Sequence, residues 1–157
     1  MITAKVQLTQ PCKSKRRQFV ATTGSNHHLL LDDAEGATAP KPIELVAVAL
    51  AGCTAFDVIT VLREKHHQQV TGYEVRVEAD QANLPPQIFT AVRIHHVVTG
   101  TDIDPAAVEH AIRLSEDKYC SVGAMIKRSV ALDTSFEIVE DSGNGSAHEL
   151  LPAEVGG

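Results

Sequence analysis

No stretch of this chain runs for twenty residues without a charge, which argues against a membrane span. Nor is there an excess of basic residues. Fourteen Lys and Arg stand against twenty Asp and Glu, and a net charge of −6 disfavours broad nucleic-acid binding. The start, Met1-Ile-Thr-Ala-Lys5, lacks the apolar segment of a secretory signal, so the expected address is the cytoplasm. There is no CxxC pair and no internal repeat. Three cysteines, an odd number, fit a reducing compartment better than a disulfide-stapled secreted domain, and any bridge here is expected to be catalytic rather than structural.

What is present suits a single folded unit. The chain has 157 residues, 43% of them hydrophobic and 22% charged, enough for one domain with a real core. The domain is expected over residues 1–140. From Asp141 onward, Ser-Gly-Asn-Gly-Ser-Ala and a Gly-Gly end read as a flexible tail over 141–157. Asn144-Gly-Ser146 matches a glycosylation sequon, which carries no meaning in a cytoplasmic tail.

The dominant stretch is residues 40–62. Between Pro42 and Arg63 the only charges are Glu44 and Asp57, so apolar side chains lie all round the predicted helix, as in a buried central one. Pro42 suits its first turn, Glu44 the positive end of its dipole, and Arg63, Lys65 and His66 the negative end. Before it, residues 3–9, 17–22 and 27–31 read as strands, the last two joined through Thr23-Gly-Ser-Asn26. After it, Tyr73, Val75 and Val77 alternate with Glu74, Arg76 and Glu78. Residues 89–99 give a second strand, with Val92, Ile94, His96 and Val98 in phase. Asp104 and Pro105 open a helix whose inner face is Val108, Ala111, Ile112 and Ser115. The pattern breaks at 115–119, a short helix runs from about Cys120 to Arg128, and residues 132–139 make a last strand. The order β-β-β-α-β-β-α-α-β predicts an α+β fold with antiparallel sheet.

Cys53 lies mid-helix among Ala51, Gly52, Thr54 and Ala55, small neighbours that let a substrate approach sulfur. Read alone, it fits a buried cysteine acting as a small hydrophobe at least as well. Asp57 shares its face at i+4, where its charge opposes a thiolate, and it is expected to turn to solvent or to a partner. Cys120 stands at a helix start, where the dipole favours thiolate, although a core cysteine beside Tyr119 is an equal reading. Sequence spacing leaves open whether the two thiols meet. The pairs His27-His28, His66-His67 and His95-His96 are not read as metal tracts, because adjacent side chains diverge on helix and strand alike, and no metal or other cofactor is expected. The cluster Lys13-Ser-Lys-Arg-Arg17 reads as a solvated basic patch, and Cys12 beside it as incidental.

Two motifs in sequence resemble a known pair. Pro40-Lys-Pro-Ile-Glu-Leu45 leading to Ala51-Gly-Cys53, followed by Ser115-Glu-Asp-Lys-Tyr-Cys-Ser-Val122, is similar to the two cysteine motifs of the OsmC/Ohr family of thiol-dependent peroxidases. The likeness extends from Thr3 to about Glu140. It implies an intertwined homodimer in which Cys53 attacks a hydroperoxide and becomes a sulfenic acid. Cys120 then resolves it as a disulfide, and an external dithiol, in one branch a lipoyl protein, restores both thiols. It further implies an acid at the start of the long helix, matched by Glu44, and an arginine from the N-terminal sheet. For the arginine, Arg17, with Arg16 beside it, is the nearest candidate at the strand edge. A binding module or a peroxide sensor on the same scaffold is the alternative.

Overall fold

The computed structural model describes residues 1–9, 17–33 and 38–141; the basic cluster apart from Arg17, Cys12, and the 142–157 part of the tail lie outside them. Three strands, β1 (Ala4–Leu8), β2 (Phe19–Thr23) and β3 (His28–Leu31), form an antiparallel meander. The β2–β3 turn works because Asn26 takes the left-handed conformation, φ 63°, which Asn tolerates. This small sheet buries little within the chain: Val6 and Leu8 are exposed.

Helix α1 (Pro42–Thr60) runs on into a wider π-helical turn at Val61–Lys65. Its start is built as the sequence suggests, with Pro42 in the first turn and the Glu44 carboxylate accepting from the Lys41 N–H at 2.7 Å. Length and composition alone would let Pro42–Lys65 cross a bilayer. Here one stripe of it, Leu50, Thr54, Val58, Val61 and Leu62, is buried as the core helix of the second half. The expectation of burial all round is met on that stripe only. Val46, Val48 and Phe56 remain exposed, because one chain supplies a single layer to pack against them.

That layer is a second sheet, β4 (Gln69–Gln81), β5 (Phe89–Thr101) and β6 (Leu132–Glu140). The alternation along β4 and β5 holds: Val92, Ile94, His96 and Val98 are buried and Glu74, Arg76 and Glu78 exposed. One pairing departs from the expected antiparallel sheet. β6 lies parallel to β5, which requires a long crossover, and α2 (Pro105–Leu114), a π-helical turn at Ser115–Tyr119 and α3 (Ser121–Ile126) provide it. Alternation reports which face a strand buries, not the direction of its neighbour. Asp104 caps α2 by accepting from the Ala106 N–H, as predicted. Val58, Leu62, Val98, Val108 and Ala111 pack one core cluster; Leu50, Val92, Ile94, Cys120 and Val130 pack the other, with Cys53 against it.

Candidate functional site

The second cluster includes Cys120 and has Cys53 packed against it. Cys53 projects from the middle of α1, half-buried, and Cys120 caps α3, buried, so a helix and a crossover deliver sulfurs from positions 67 apart to one place. The two Sγ atoms and an oxygen of Asp57 all lie within 4.8 Å of one another. Neither sulfur is in a disulfide.

The π-helical turn is what aims Cys120. In an α-helix, positions five apart point about 140° away from each other. The wider turn instead bonds the Cys120 N–H to the Ser115 carbonyl at 2.9 Å, which stacks the two residues on the side facing α1. Ser115, fully buried, then donates to Asp57 Oδ2 at 3.0 Å and lies 3.1 Å from Thr54 Oγ1. Asp57 has turned neither to solvent nor away from the sulfurs, and this tie across two elements explains why. Sequence reasoning singled out Asp57 but gave Ser115 only a packing role. Asp57 being one of two charges in an apolar helix was the available signal; nothing in the spacing announced its hydroxyl partner.

The Gly123 N–H donates to Cys120 Sγ at 3.2 Å, the helix-start contact expected to favour thiolate. It does not prevail. Burial pushes the Cys120 thiol up to about 11, the hydrogen bond to Cys53 and the charges of Cys53 and Asp57 add to the rise, and the Gly123 amide opposes it. Cys120 is therefore a proton-bearing thiol at neutral pH, suited to donate toward Cys53 rather than to attack first. A cavity of about 190 Å³ opens beside it, lined by Cys120, Ser115, Glu116, Asp117 and Lys127 among polar groups and by Leu50 and Ile94 among apolar ones.

Two expected residues stand elsewhere. Glu44 is engaged at the start of α1, nine residues and about 13 Å of helix rise from Cys53. Arg17 is exposed and places its backbone N–H 3.4 Å from an Asp33 carboxylate oxygen. Among the described residues no lysine or arginine hydrogen-bonds to either sulfur in the same chain. The histidine pairs diverge as expected: His27 meets Ser25, His28 meets Thr22, His66 meets His110, His95 meets Ser135 and His96 meets Tyr73. Among the described residues, Cys53, Asp57 and Cys120 are three donors placed closely enough to hold a metal ion.

The family described as OsmC-like protein matches residues 34–135. Protein YhfA of Escherichia coli strain K12 is 39% identical over 121 residues, which are 77% of this chain and 90% of that one. Among solved structures, a hypothetical protein from Aquifex aeolicus VF5 is similar with a TM-score of 0.77 and 25% identity, over 90% of this chain and 98% of that one. An organic hydroperoxide resistance protein OsmC from Legionella pneumophila shares the fold with a TM-score of 0.62 and 17% identity, over 87% and 96%.

Proposed function

The chain belongs to the OsmC-like family, and from that premise we propose that it is a cytoplasmic thiol peroxidase that reduces organic hydroperoxides. The observation that carries the reading is the approach of two unbridged sulfurs, at most 4.8 Å apart, of which Cys120 lines an open, partly apolar cavity. The Cys53 thiolate attacks the terminal peroxide oxygen. An S–O bond forms, the O–O bond breaks, and the alkoxide leaves as alcohol after taking a proton, giving Cys53 sulfenic acid. Cys120 then gives up its proton and attacks the Cys53 sulfur; the disulfide forms and hydroxide departs as water. An external dithiol, of which a lipoyl group is one form, reduces the disulfide by two thiol exchanges.

The active form in this reading is a homodimer. Val46, Val48 and Phe56 on α1 and Val6 and Leu8 on β1 are apolar side chains that one chain leaves uncovered, and a second copy supplies a matching set. The dimer is also the route by which an arginine or Glu44 from the other copy would reach the Cys53 sulfur.

The test is titration of the reduced protein with an alkyl hydroperoxide, followed by peptide mass spectrometry and a turnover assay with a dithiol. A Cys53–Cys120 disulfide is expected with one equivalent of peroxide, and Cys53→Ser abolishes turnover. Unmodified cysteines and unconsumed peroxide would overturn the reading.

A further inference from the structure

Three donor atoms from two elements meet in one place: two sulfurs and a carboxylate oxygen, all within 4.8 Å of one another. We propose that in the reduced protein Cys53, Cys120 and Asp57 bind a thiophilic divalent cation of the zinc type, and that this ion and peroxide compete for the same thiols. The binding site rests on geometry alone; the competition rests on the peroxidase reading.

The spacing suits such an ion. The centre of a triangle with 4.8 Å sides lies about 2.8 Å from each corner, and zinc takes sulfur at about 2.3 Å and carboxylate oxygen at about 2.0–2.2 Å. Small side-chain rotations close that gap. Two soft sulfurs with one oxygen select zinc over magnesium or calcium, which take oxygen donors. Three protein ligands leave the fourth tetrahedral position open to water.

The surroundings are those of a supported site. Ser115 donates to one oxygen of Asp57, and the Gly123 N–H donates to Cys120 Sγ, so two of the three ligands are already held by hydrogen bonds. Electrostatics points the same way. Were both thiols ionised, two thiolates and a carboxylate this close would repel one another, and among the described residues no lysine or arginine hydrogen-bonds to either sulfur. A dication relieves that repulsion and displaces the thiol protons. The cavity that Cys120 lines carries two acidic groups, Glu116 and Asp117, against one base, Lys127, a net negative approach path for a cation.

The competition balances chemically. A bound ion takes one lone pair of each sulfur and draws charge from the others, which lowers their reactivity toward peroxide. Oxidation consumes both thiolates: with two protons and one hydroperoxide they give the disulfide, one alcohol and one water, and the ion is released unchanged in charge. Zinc is thus a reversible brake that a sufficient peroxide load removes.

The experiment uses the full chain with Cys12→Ser, reduced and chelator-dialysed under anaerobic conditions, titrated with zinc chloride by calorimetry and with cobalt chloride by absorption. One ion per chain is expected, with a thiolate-to-cobalt charge-transfer band. Asp57→Asn should weaken zinc by more than about a hundredfold, beyond the roughly 10–100-fold that loss of a supporting hydrogen bond costs. The disulfide form, which needs no substitution, should bind none. No zinc on the reduced chain, or binding retained in both Cys53→Ser and Cys120→Ser, would overturn the site. Zinc bound by a chain that consumes no peroxide leaves the site standing and removes the peroxidase; turnover without zinc binding does the reverse.

Discussion

Ser115 donates its single hydroxyl proton to the Asp57 carboxylate across 3.0 Å, joining the crossover to α1 from positions 58 apart. A hydrogen bond to an ionised group contributes about 1.5–3 kcal/mol, more than one between neutral partners. Ser115→Ala should lower stability by that order, and Ser115→Thr, which keeps the hydroxyl, should recover much of it. Urea unfolding measures both. An alanine variant with an unshifted midpoint would show that the bond contributes nothing.

The raised Cys120 thiol has a pH signature. With its value pushed from 9.0 to about 11, its thiolate fraction at neutral pH is about a hundredfold below that of an unperturbed cysteine. Alkylation of Cys120 by iodoacetamide should be slow at pH 7 and climb steadily to pH 10. In Cys53→Ser the profile should move to lower pH, because one cause of the rise is removed. Fast labelling of wild-type Cys120 at neutral pH would refute the assignment of Cys120 as the proton-bearing partner.

A second pH effect belongs to the core. His96 is fully buried, receives or gives a hydrogen bond at Nδ1 to the Tyr73 hydroxyl at 2.6 Å, and leaves Nε2 without a partner among the described residues. Burial, with a smaller contribution from His95, lowers it from 6.5 to about 4. The unfolded chain therefore binds a proton between pH 6.5 and 4 that the folded chain refuses, so stability is lost as pH falls through that window. The loss is on the order of 3 kcal/mol in all. Comparing wild type with His96→Phe over pH 7 to 4 should show a steeper decline in wild type; parallel curves would remove His96 as the cause.

The exposed face of α1 predicts the assembly. Phe56 is 79% exposed and Val48 63%, large apolar areas for a free surface. Wild type should have the mass of two chains by light scattering, and Phe56→Glu should shift it toward one. A wild-type protein that is monomeric at micromolar concentration would end the dimer proposal.

Much of the fold was legible before any coordinates. Asp104-Pro105 capped a helix as its residue types dictate, and the alternation of Val92, Ile94, His96 and Val98 marked the buried face of β5 because side chains alternate strictly along a strand. What the residues concealed was relational. Nothing in the alternation of β6 says that its neighbour runs parallel. The all-round apolar pattern of α1 called for cover on every side, without stating that one chain would leave Val46, Val48 and Phe56 bare. The meeting of Cys53 and Cys120 depends on a π-helical turn, a backbone choice that no propensity announces. For Cys120 the helix start left an activated thiol and a core cysteine as equal readings, and burial decides for the second.

The crossover that makes β6 parallel also carries Cys120, so a bridge to Cys53 would fasten the α2-to-α3 connection onto the central rod and close a ring of about 67 residues. By chain entropy a ring of that size handicaps the unfolded state by about 4 kcal/mol. A molecule that has just met its oxidant would then resist unfolding and proteolysis better than one awaiting it, and its lifetime in a cell would lengthen with oxidative load until a reductant cut the ring.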